Sequence, residues 1–172
     1  MHYFAYGSNL SWRQMQGRCP SARFVCRAVL PDYRIAFTRY SPRRRSGAAD
    51  VVHAPGQSVW GVVYHLSDDD LRVLDGWEGF EPGRAGNAYD RIVERVRRED
   101  CPDDALAVWT YVVCAKLPEP QVPSVHYRSL MIEGAVHWGL PVPYVDGLRG
   151  VPVVDVPMAV EPWMNEAGRT RA

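Results

Sequence analysis

The strongest structural signal in this 172-residue chain is the segment Val59-Trp60-Gly61-Val62-Val63-Tyr64-His65-Leu66. It is an almost continuous run of apolar and β-branched residues, which is typical of a strand buried on both faces. Ser67 follows as a helix N-cap, and Asp68-Asp69-Asp70 then favour the positive end of a helix dipole. Gly79 is expected to end this helix. The centre of the chain is therefore predicted to be a buried strand followed by a short helix.

Further strand signals occur on both sides of this segment, at Tyr3–Tyr6, Tyr33–Thr38, Tyr89–Val96 and Leu106–Val113. One more helix is expected after Ser11, because Gln14 completes a capping box. Another is expected from Ser124 to Gly139, where apolar residues recur at helical spacing and prolines follow. Residues 41–57, rich in Pro, Arg, Gly and Ser, are predicted to be a weakly structured loop.

The mixture of elements indicates an α+β fold rather than a doubly wound sheet, because strands outnumber helices and the helices interrupt them irregularly. The length predicts a single domain over residues 1–172. From about residue 151, prolines and mixed polarity predict an irregular tail that frays at residues 166–172.

Composition lowers the expectation of large charged partners. The formal net charge is zero, so there is no overall field to attract nucleic acid or an anionic membrane. Arg43-Arg44-Arg45 is interpreted as a solvated loop. No stretch approaches the roughly 20 apolar residues of a membrane span, and the N-terminus has no signal-peptide layout. The four cysteines show neither C-x-x-C pairing nor zinc-type spacing, which favours reduced thiols in a cytoplasmic protein.

The first candidate site is the turn Tyr6-Gly7-Ser8-Asn9-Leu10. A strand that ends in this turn and continues into a capped helix exposes several backbone N–H groups at a positive helix terminus. Such groups bind a carboxylate, a phosphate or a developing oxyanion. The same pattern is also ordinary turn and cap chemistry, so by itself the turn does not define a site.

The second candidate is Glu78, at the C-terminal end of the predicted central helix. The negative end of the helix dipole and the apolar neighbours Trp77 and Phe80 both disfavour a charged carboxylate. Both effects predict a carboxyl group suited to general acid/base chemistry near neutral pH. The alternative is a solvent-exposed glutamate at a frayed helix end. Asp75, one turn earlier, is interpreted as a solvated carboxylate rather than as a residue that orients the helix end or Glu78.

Read together, these segments resemble the gamma-glutamylcyclotransferase family. The resemblance rests on Tyr3–Leu10, Pro55–Tyr64, Leu71-x-x-Leu-Asp-x-x-Glu-Gly-Phe80, Tyr89-Asp90-Arg91 and Gly134–Pro141. These blocks occur in the same order as in the family and cover roughly residues 3–150. Tyr-Gly-Ser-Asn and Asp-x-x-Glu-Gly are uncommon together at this spacing, which makes the resemblance specific.

The resemblance implies a small mixed β-barrel with flanking helices and a cavity at one end. The residues it assigns to substrate binding are Tyr6, Gly7, Ser8, Asn9, Leu10 and Tyr111. Glu78 is implied as the acid/base that closes a gamma-glutamyl group into 5-oxoproline, with no metal and no cofactor. Trp60 and Tyr89 belong either to this site or to the core. The implied partner is a small gamma-glutamyl compound, bound by a monomer or homodimer.

Several alternatives stay open at this point. The leaving group of the substrate is not determined, and the charged loop at residues 81–87 is expected to border the cavity mouth and select it. The turn binds either the oxyanion or the α-carboxylate. A non-catalytic module that binds a small acid is the second interpretation of the whole chain. A hydrolase with Ser8 as nucleophile is the third, although no His or Asp has triad spacing to it.

Overall fold

Five strands form a closed barrel in the computed structural model, which describes residues 1–157. They are β1 (His2–Ala5), β2 (Arg23–Ser41), β3 (Ser46–His65), β4 (Tyr89–Arg98) and β5 (Ala105–Val113). Their order around the barrel is β1-β3-β2-β4-β5. The neighbours are antiparallel except β1 and β5, which pair in parallel at Tyr3 and Trp109. The mixed β-barrel expected from the resemblance is therefore confirmed.

A short 3-10 turn, Ser8–Leu10, leaves β1, and helices flank the barrel. They are α1 (Trp12–Arg18), α2 (Asp68–Glu78), α3 (Val125–His137) and α4 (Val142–Arg149). The predicted serine caps are confirmed: the hydroxyl of Ser67 accepts from the N–H of Asp70 at 3.1 Å, and those of Ser11 and Ser124 cap α1 and α3. Gly79 ends α2 with a φ of 67°, a left-handed conformation that glycine adopts at little cost. No helix of residues 1–157 is both long and apolar enough to cross a membrane.

The predicted loop at residues 41–57 is wrong. β3 begins at Ser46, and the hairpin continues through the pairs Ser41–Ser46 and Tyr40–Gly47. The small residues Ala48 and Ala49 are buried there, so this part of β3 belongs to the core despite its weak strand signal. The predicted loop therefore extended too far into the strand that follows the turn.

Helix α4 was not predicted, because the prolines after α3 were interpreted only as the end of that helix. Pro141 is its N-cap and Pro143 lies in its first turn, where a missing N–H breaks no helical hydrogen bond. The predicted irregular tail is described as far as residue 157, and there Val154 forms one parallel bridge with Ser124. The fraying predicted for residues 166–172 lies outside the described residues.

Helix α3 holds the 3-10 turn in place. A Cβ atom at Gly134 would lie only 2.5 Å from the backbone nitrogen of Ser11, so the absence of a side chain lets helix and turn touch. Trp138 completes the contact by donating its indole N–H to the carbonyl of Leu10 at 3.0 Å. The turn is therefore held in place by contacts with α3, which lies more than a hundred residues further along the sequence.

Candidate active site

The amide side chain of Asn9 connects the predicted turn with the predicted glutamate. Its nitrogen donates to Glu78 Oε1 at 3.0 Å and to the hydroxyl of Tyr3 at 2.9 Å. Its oxygen accepts from Arg18 Nη1 at 2.9 Å and from Gln14 Nε2 at 3.0 Å. Because both ends of the amide have partners of fixed polarity, its orientation is determined. The structure therefore brings the turn and Glu78 together through a side chain.

Arg18 is a part of this site that the sequence did not reveal. Its guanidinium group is buried and lies 3.7 Å from Glu78 Oε1, whose side chain is 17% exposed. Arg18 therefore places a positive charge within ion-pair distance of the Glu78 carboxylate. Arg18 also lies over the ring of Trp77, 4.6 Å from its centroid. Gln14 and Arg18, four residues apart on α1, form the side of the helix that faces the turn.

A narrow inner cavity of about 30 Å³ opens beside Glu78. It is lined by Tyr3, Tyr6, Gly7, Ser8, Asn9, Ala49, Glu78, Tyr89, Tyr111 and Tyr127. Most of the predicted site residues therefore meet here. Leu10 is the exception, because it is fully buried against α3 and its N–H is bonded to the carbonyl of Gly7. Trp60 packs partly buried against the core, whereas Tyr89 does line the cavity.

Burial keeps four of the inner-cavity tyrosines neutral. Burial raises the pKa of Tyr3, Tyr6 and Tyr89 well above the ordinary value. Burial also raises the pKa of Tyr111, and its hydrogen bond to Asp75 raises it further. These phenols are therefore hydrogen-bonding groups rather than bases at any physiological pH.

Asp75 is not the solvated carboxylate that the sequence suggested. It is 8% exposed, and its Oδ1 accepts the hydroxyl proton of Tyr111 at 2.7 Å. Its Oδ2 accepts from Arg91 Nη1, also at 2.7 Å. Arg91 in turn lies over the ring of Trp109. Asp75 lies about one turn before Glu78 on α2, and its side chain contacts Tyr111 on β5.

A wider outer cavity of about 210 Å³ adjoins the inner one, and the two share Ser8, Glu78, Tyr89 and Tyr127. Four arginines line it: Arg18, Arg39, Arg43 and Arg44. The basic cluster lies in an exposed turn, as expected for Arg43 and Arg45, whereas Arg44 is half-buried. Arg43 and Arg44 are held by aromatic rings, Arg43 over Trp77 at 4.3 Å and Arg44 over Tyr127 at 4.8 Å.

The loop at residues 81–87 contributes no lining residue to either cavity, although Gly79 and Ala88 at its two ends line the outer one. It is closed on itself, since the side chain of Asn87 accepts from the N–H of Glu81 at 3.1 Å and donates to the carbonyl of Glu81 at 3.0 Å. Arg84 also points back and donates to the carbonyl of Gly79 at 2.7 Å. The loop therefore adjoins the outer cavity only at its base, while the β2–β3 turn supplies Arg43 and Arg44 to the lining.

A third cavity, of about 620 Å³, lies between β2 and α4. Its lining contains no carboxylate, histidine or cysteine, and burial raises the pKa of its one tyrosine, Tyr144. Among residues 1–157, no group of three or more His, Cys, Asp and Glu side chains is placed to hold a metal ion. Of these three cavities, a carboxylate lines only the inner and the outer one, and in both it is Glu78.

Comparison with known proteins agrees with this geometry. Residues 3–129 match the family described as "Gamma-glutamyl cyclotransferase, AIG2-like". A curated Homo sapiens protein named Gamma-glutamylcyclotransferase is 32% identical over 153 residues, which are 87% of this chain and 77% of the relative. A solved structure named Gamma-glutamyl cyclotransferase has a TM-score of 0.84 at 29% identity, covering 97% of this chain and 96% of that one. A crystal structure of an uncharacterized Homo sapiens protein has a TM-score of 0.83 at 30% identity, covering 96% of each chain.

The chain therefore belongs to the gamma-glutamyl cyclotransferase, AIG2-like family. Its activity is that of an enzyme which closes a gamma-glutamyl group into 5-oxoproline and releases the group attached to the γ-carbonyl.

Proposed function

We propose that Glu78 is the acid/base residue of this cyclotransferase and that the substrate is a gamma-glutamyl amino acid. The observation that carries the proposal is the 3.0 Å hydrogen bond from Asn9 to Glu78 at the junction of the inner and outer cavities. This hydrogen bond connects two groups with different functions. Glu78 can accept and donate a proton, and the turn can bind negatively charged oxygen.

The reaction moves two protons from the α-nitrogen of the substrate to the nitrogen that departs. The α-ammonium group of the substrate gives a proton to Glu78, and the resulting amine attacks the γ-carbonyl carbon of the same molecule. A new C–N bond closes the five-membered ring, and Glu78 returns its proton to the amide nitrogen as the original amide C–N bond breaks. The ring nitrogen gives up its second proton through Glu78 to the departing amine, which leaves as an ammonium ion. Because nucleophile and carbonyl belong to one molecule, holding them in the reactive conformation supplies much of the acceleration.

The turn supplies hydrogen-bond donors for the negatively charged oxygens of this reaction. Its first internal hydrogen bond runs from the N–H of Leu10 to the carbonyl of Gly7, so the amides of Gly7, Ser8 and Asn9 precede it. We assign these amides to a substrate oxygen, either the α-carboxylate or the developing oxyanion. Leu10 takes part only by packing, since its N–H already has a partner.

The outer cavity receives the leaving group, and its charges favour one that carries a carboxylate. Arg39, on β2, lies 5.7 Å from the centroid of the Tyr89 ring and faces the same cavity as Glu78. Arg43 and Arg44 extend the positive surface across the β2–β3 turn. A gamma-glutamyl amino acid would place its free carboxylate among these guanidinium groups, whereas a gamma-glutamyl amine has no anion to place there.

The experiment compares gamma-glutamyl-alanine with gamma-glutamyl-ethylamine, which lacks the second carboxylate. We expect 5-oxoproline and alanine in equal amounts, and a kcat/KM at least about tenfold higher for the alanine compound, from a charge-assisted hydrogen bond. Arg39→Gln should reduce that preference at least about threefold. Arg34→Gln is the matched control, because Arg34 is exposed on the same strand and lines the third cavity instead.

Two results would contradict the proposal. Equal rates for both compounds would remove the leaving-group assignment while leaving the cyclotransferase reaction intact. Measurable binding of both compounds with no 5-oxoproline after long incubation would favour the alternative, a non-catalytic module that binds small acids.

The surroundings of the enzyme are also part of the proposal. All four cysteines are free thiols, and Cys19 and Cys26 are buried, which supports a location in the reducing cytoplasm. We propose a small-molecule partner only, and a monomer or homodimer. Size-exclusion chromatography with light scattering measures the oligomeric state directly.

A further inference from the structure

The hydroxyl groups around the inner cavity have fixed hydrogen-bond directions. Each tyrosine has one hydroxyl proton, and a carbonyl oxygen can only accept it. Tyr6 gives its proton to the carbonyl of Tyr111 at 2.6 Å, and Tyr89 gives its proton to the carbonyl of Ala49 at 3.0 Å. Both hydroxyls therefore have only lone pairs left for a molecule in the cavity.

Asp75 fixes the direction of the Tyr111 hydroxyl. The carboxylate accepts that hydroxyl proton at 2.7 Å, and Arg91 compensates its charge with a second 2.7 Å contact on the other oxygen. The proton of Tyr111 is consequently committed to Asp75. Towards the cavity, Tyr111 is a hydrogen-bond acceptor, like Tyr6 and Tyr89.

The other two tyrosines have the opposite polarity. The hydroxyl of Tyr3 accepts from the Asn9 amide at 2.9 Å, and that of Tyr127 accepts from the N–H of Ala49 at 3.1 Å. Because their partners are donors, their own protons can point to a ligand. The inner cavity is thus divided into acceptor hydroxyls and donor hydroxyls.

This division matches the amine of a gamma-glutamyl substrate. An ammonium group has N–H donors and no acceptor, and the cavity volume of about 30 Å³ suits a group of that size, close to the space of a water molecule. We propose that Asp75 is a positioning residue, which holds Tyr111 as an acceptor so that the α-ammonium group binds beside Glu78 before proton transfer. This inference rests on the proposed function, because it concerns the group that Glu78 deprotonates.

Asp75→Asn is a sharp test because Arg91 determines how the new amide is oriented. Arginine can only donate, so the amide oxygen of the variant turns to Arg91 and the amide nitrogen turns to Tyr111. Tyr111 then accepts from that nitrogen and directs its own proton into the cavity. An ammonium group would meet a donor where it had met an acceptor, at nearly unchanged side-chain shape.

The experiment measures kcat/KM for gamma-glutamyl-alanine and the inhibition constant of N-glutaryl-alanine, which has the same skeleton without the amine. We expect Asp75→Asn to lower kcat/KM at least about tenfold, the value of a hydrogen bond to a charged group. The inhibition constant of N-glutaryl-alanine should change less than about threefold. In a Tyr111→Phe background, Asp75→Asn should change kcat/KM less than about twofold, because its effect passes through the missing hydroxyl.

Each outcome either supports or overturns the role of Asp75 as a positioning residue. Equal losses for substrate and inhibitor, or a full loss from Asp75→Asn in the Tyr111→Phe background, would mean a structural role for Asp75 and overturn the inference alone. If Asp75→Asn does not fold, Tyr111→Phe decides: equal losses for the two compounds would overturn the acceptor role. Absence of 5-oxoproline from the unaltered enzyme would overturn the proposed function, and this inference with it.

Discussion

Replacing Asn9 by Asp keeps the shape of the side chain that joins the turn to Glu78 and reverses its polarity. The nitrogen that donates to Glu78 Oε1 at 3.0 Å becomes a carboxylate oxygen. Two unit charges at that distance repel by roughly 5 to 6 kcal/mol at an effective dielectric constant of about 20. Arg18, 2.9 Å from the other oxygen of the side chain, offsets part of this repulsion.

The repulsion is comparable with the cost of protonating a carboxylate. At about pH 7, adding a proton to a carboxyl group of ordinary pKa costs about 4 kcal/mol. We therefore expect the carboxylate introduced by Asn9→Asp to share a proton with Glu78 near neutral pH, as closely placed carboxylates do. A base that already carries a proton cannot accept one from the substrate.

The assay is the pH dependence of kcat/KM for 5-oxoproline release. For Asn9→Asp we expect a loss of about 100-fold at neutral pH and an acidic limb displaced at least about one pH unit upward. Asn9→Ala is the control, because it removes the hydrogen bond without adding charge. It should lower the rate about tenfold and leave the acidic limb in place. Identical acidic limbs for Asn9→Asp and the unaltered enzyme would refute the reasoning.

Other predictions concern the fold, the nucleophile and the thiols. Gly134→Ala should lower Tm by about 4–10 °C, since its Cβ would overlap the backbone of the 3-10 turn. Gly147→Ala, with open space around that position, should leave Tm unchanged or raise it slightly. Thermal unfolding compares the two variants, and equal Tm values would contradict the packing argument. Ser8→Ala should keep the rate within about tenfold, and mass spectrometry should find no acyl-enzyme; a trapped acyl group would restore the hydrolase alternative. Burial raises the pKa of Cys19 to about 12 and also raises the pKa of Cys26, so a thiol reagent should label only the two exposed cysteines of the folded protein at pH about 8; four fast-reacting thiols would contradict this burial.

Local sequence signals predicted the elements whose ends are set by local chemistry. Helix α2 was predicted at both ends because Ser67 caps it and Gly79 takes the left-handed conformation that stops it. The β2–β3 hairpin was missed because its stability comes from pairing and burial across the sheet. The small residues at the start of β3 have a weak strand propensity and do not indicate that pairing. Helix α4 was missed because proline is compatible with a first helical turn.

The site was predictable only as far as its motifs extend. Glu78 was identified because a carboxylate at the C-terminal end of a helix goes against local preference, and the turn because it precedes a capped helix. Together the two motifs resemble one family. Arg18 was not, because its contact with Glu78 joins residues 60 positions apart, and no local pattern marks it. The burial of Asp75 was not predicted either, because it depends on contacts with Arg91 on β4 and Tyr111 on β5.

The rate of 5-oxoproline release by Glu78→Gln tests the role of Glu78 most directly. Glutamine preserves size and can still accept a hydrogen bond from Asn9, but it cannot take a proton from the substrate amine. The account predicts that Glu78→Gln binds N-glutaryl-alanine and loses at least about 100-fold in kcat for gamma-glutamyl-alanine. Release of 5-oxoproline at an undiminished rate would contradict the assignment of Glu78 as the proton-transfer residue.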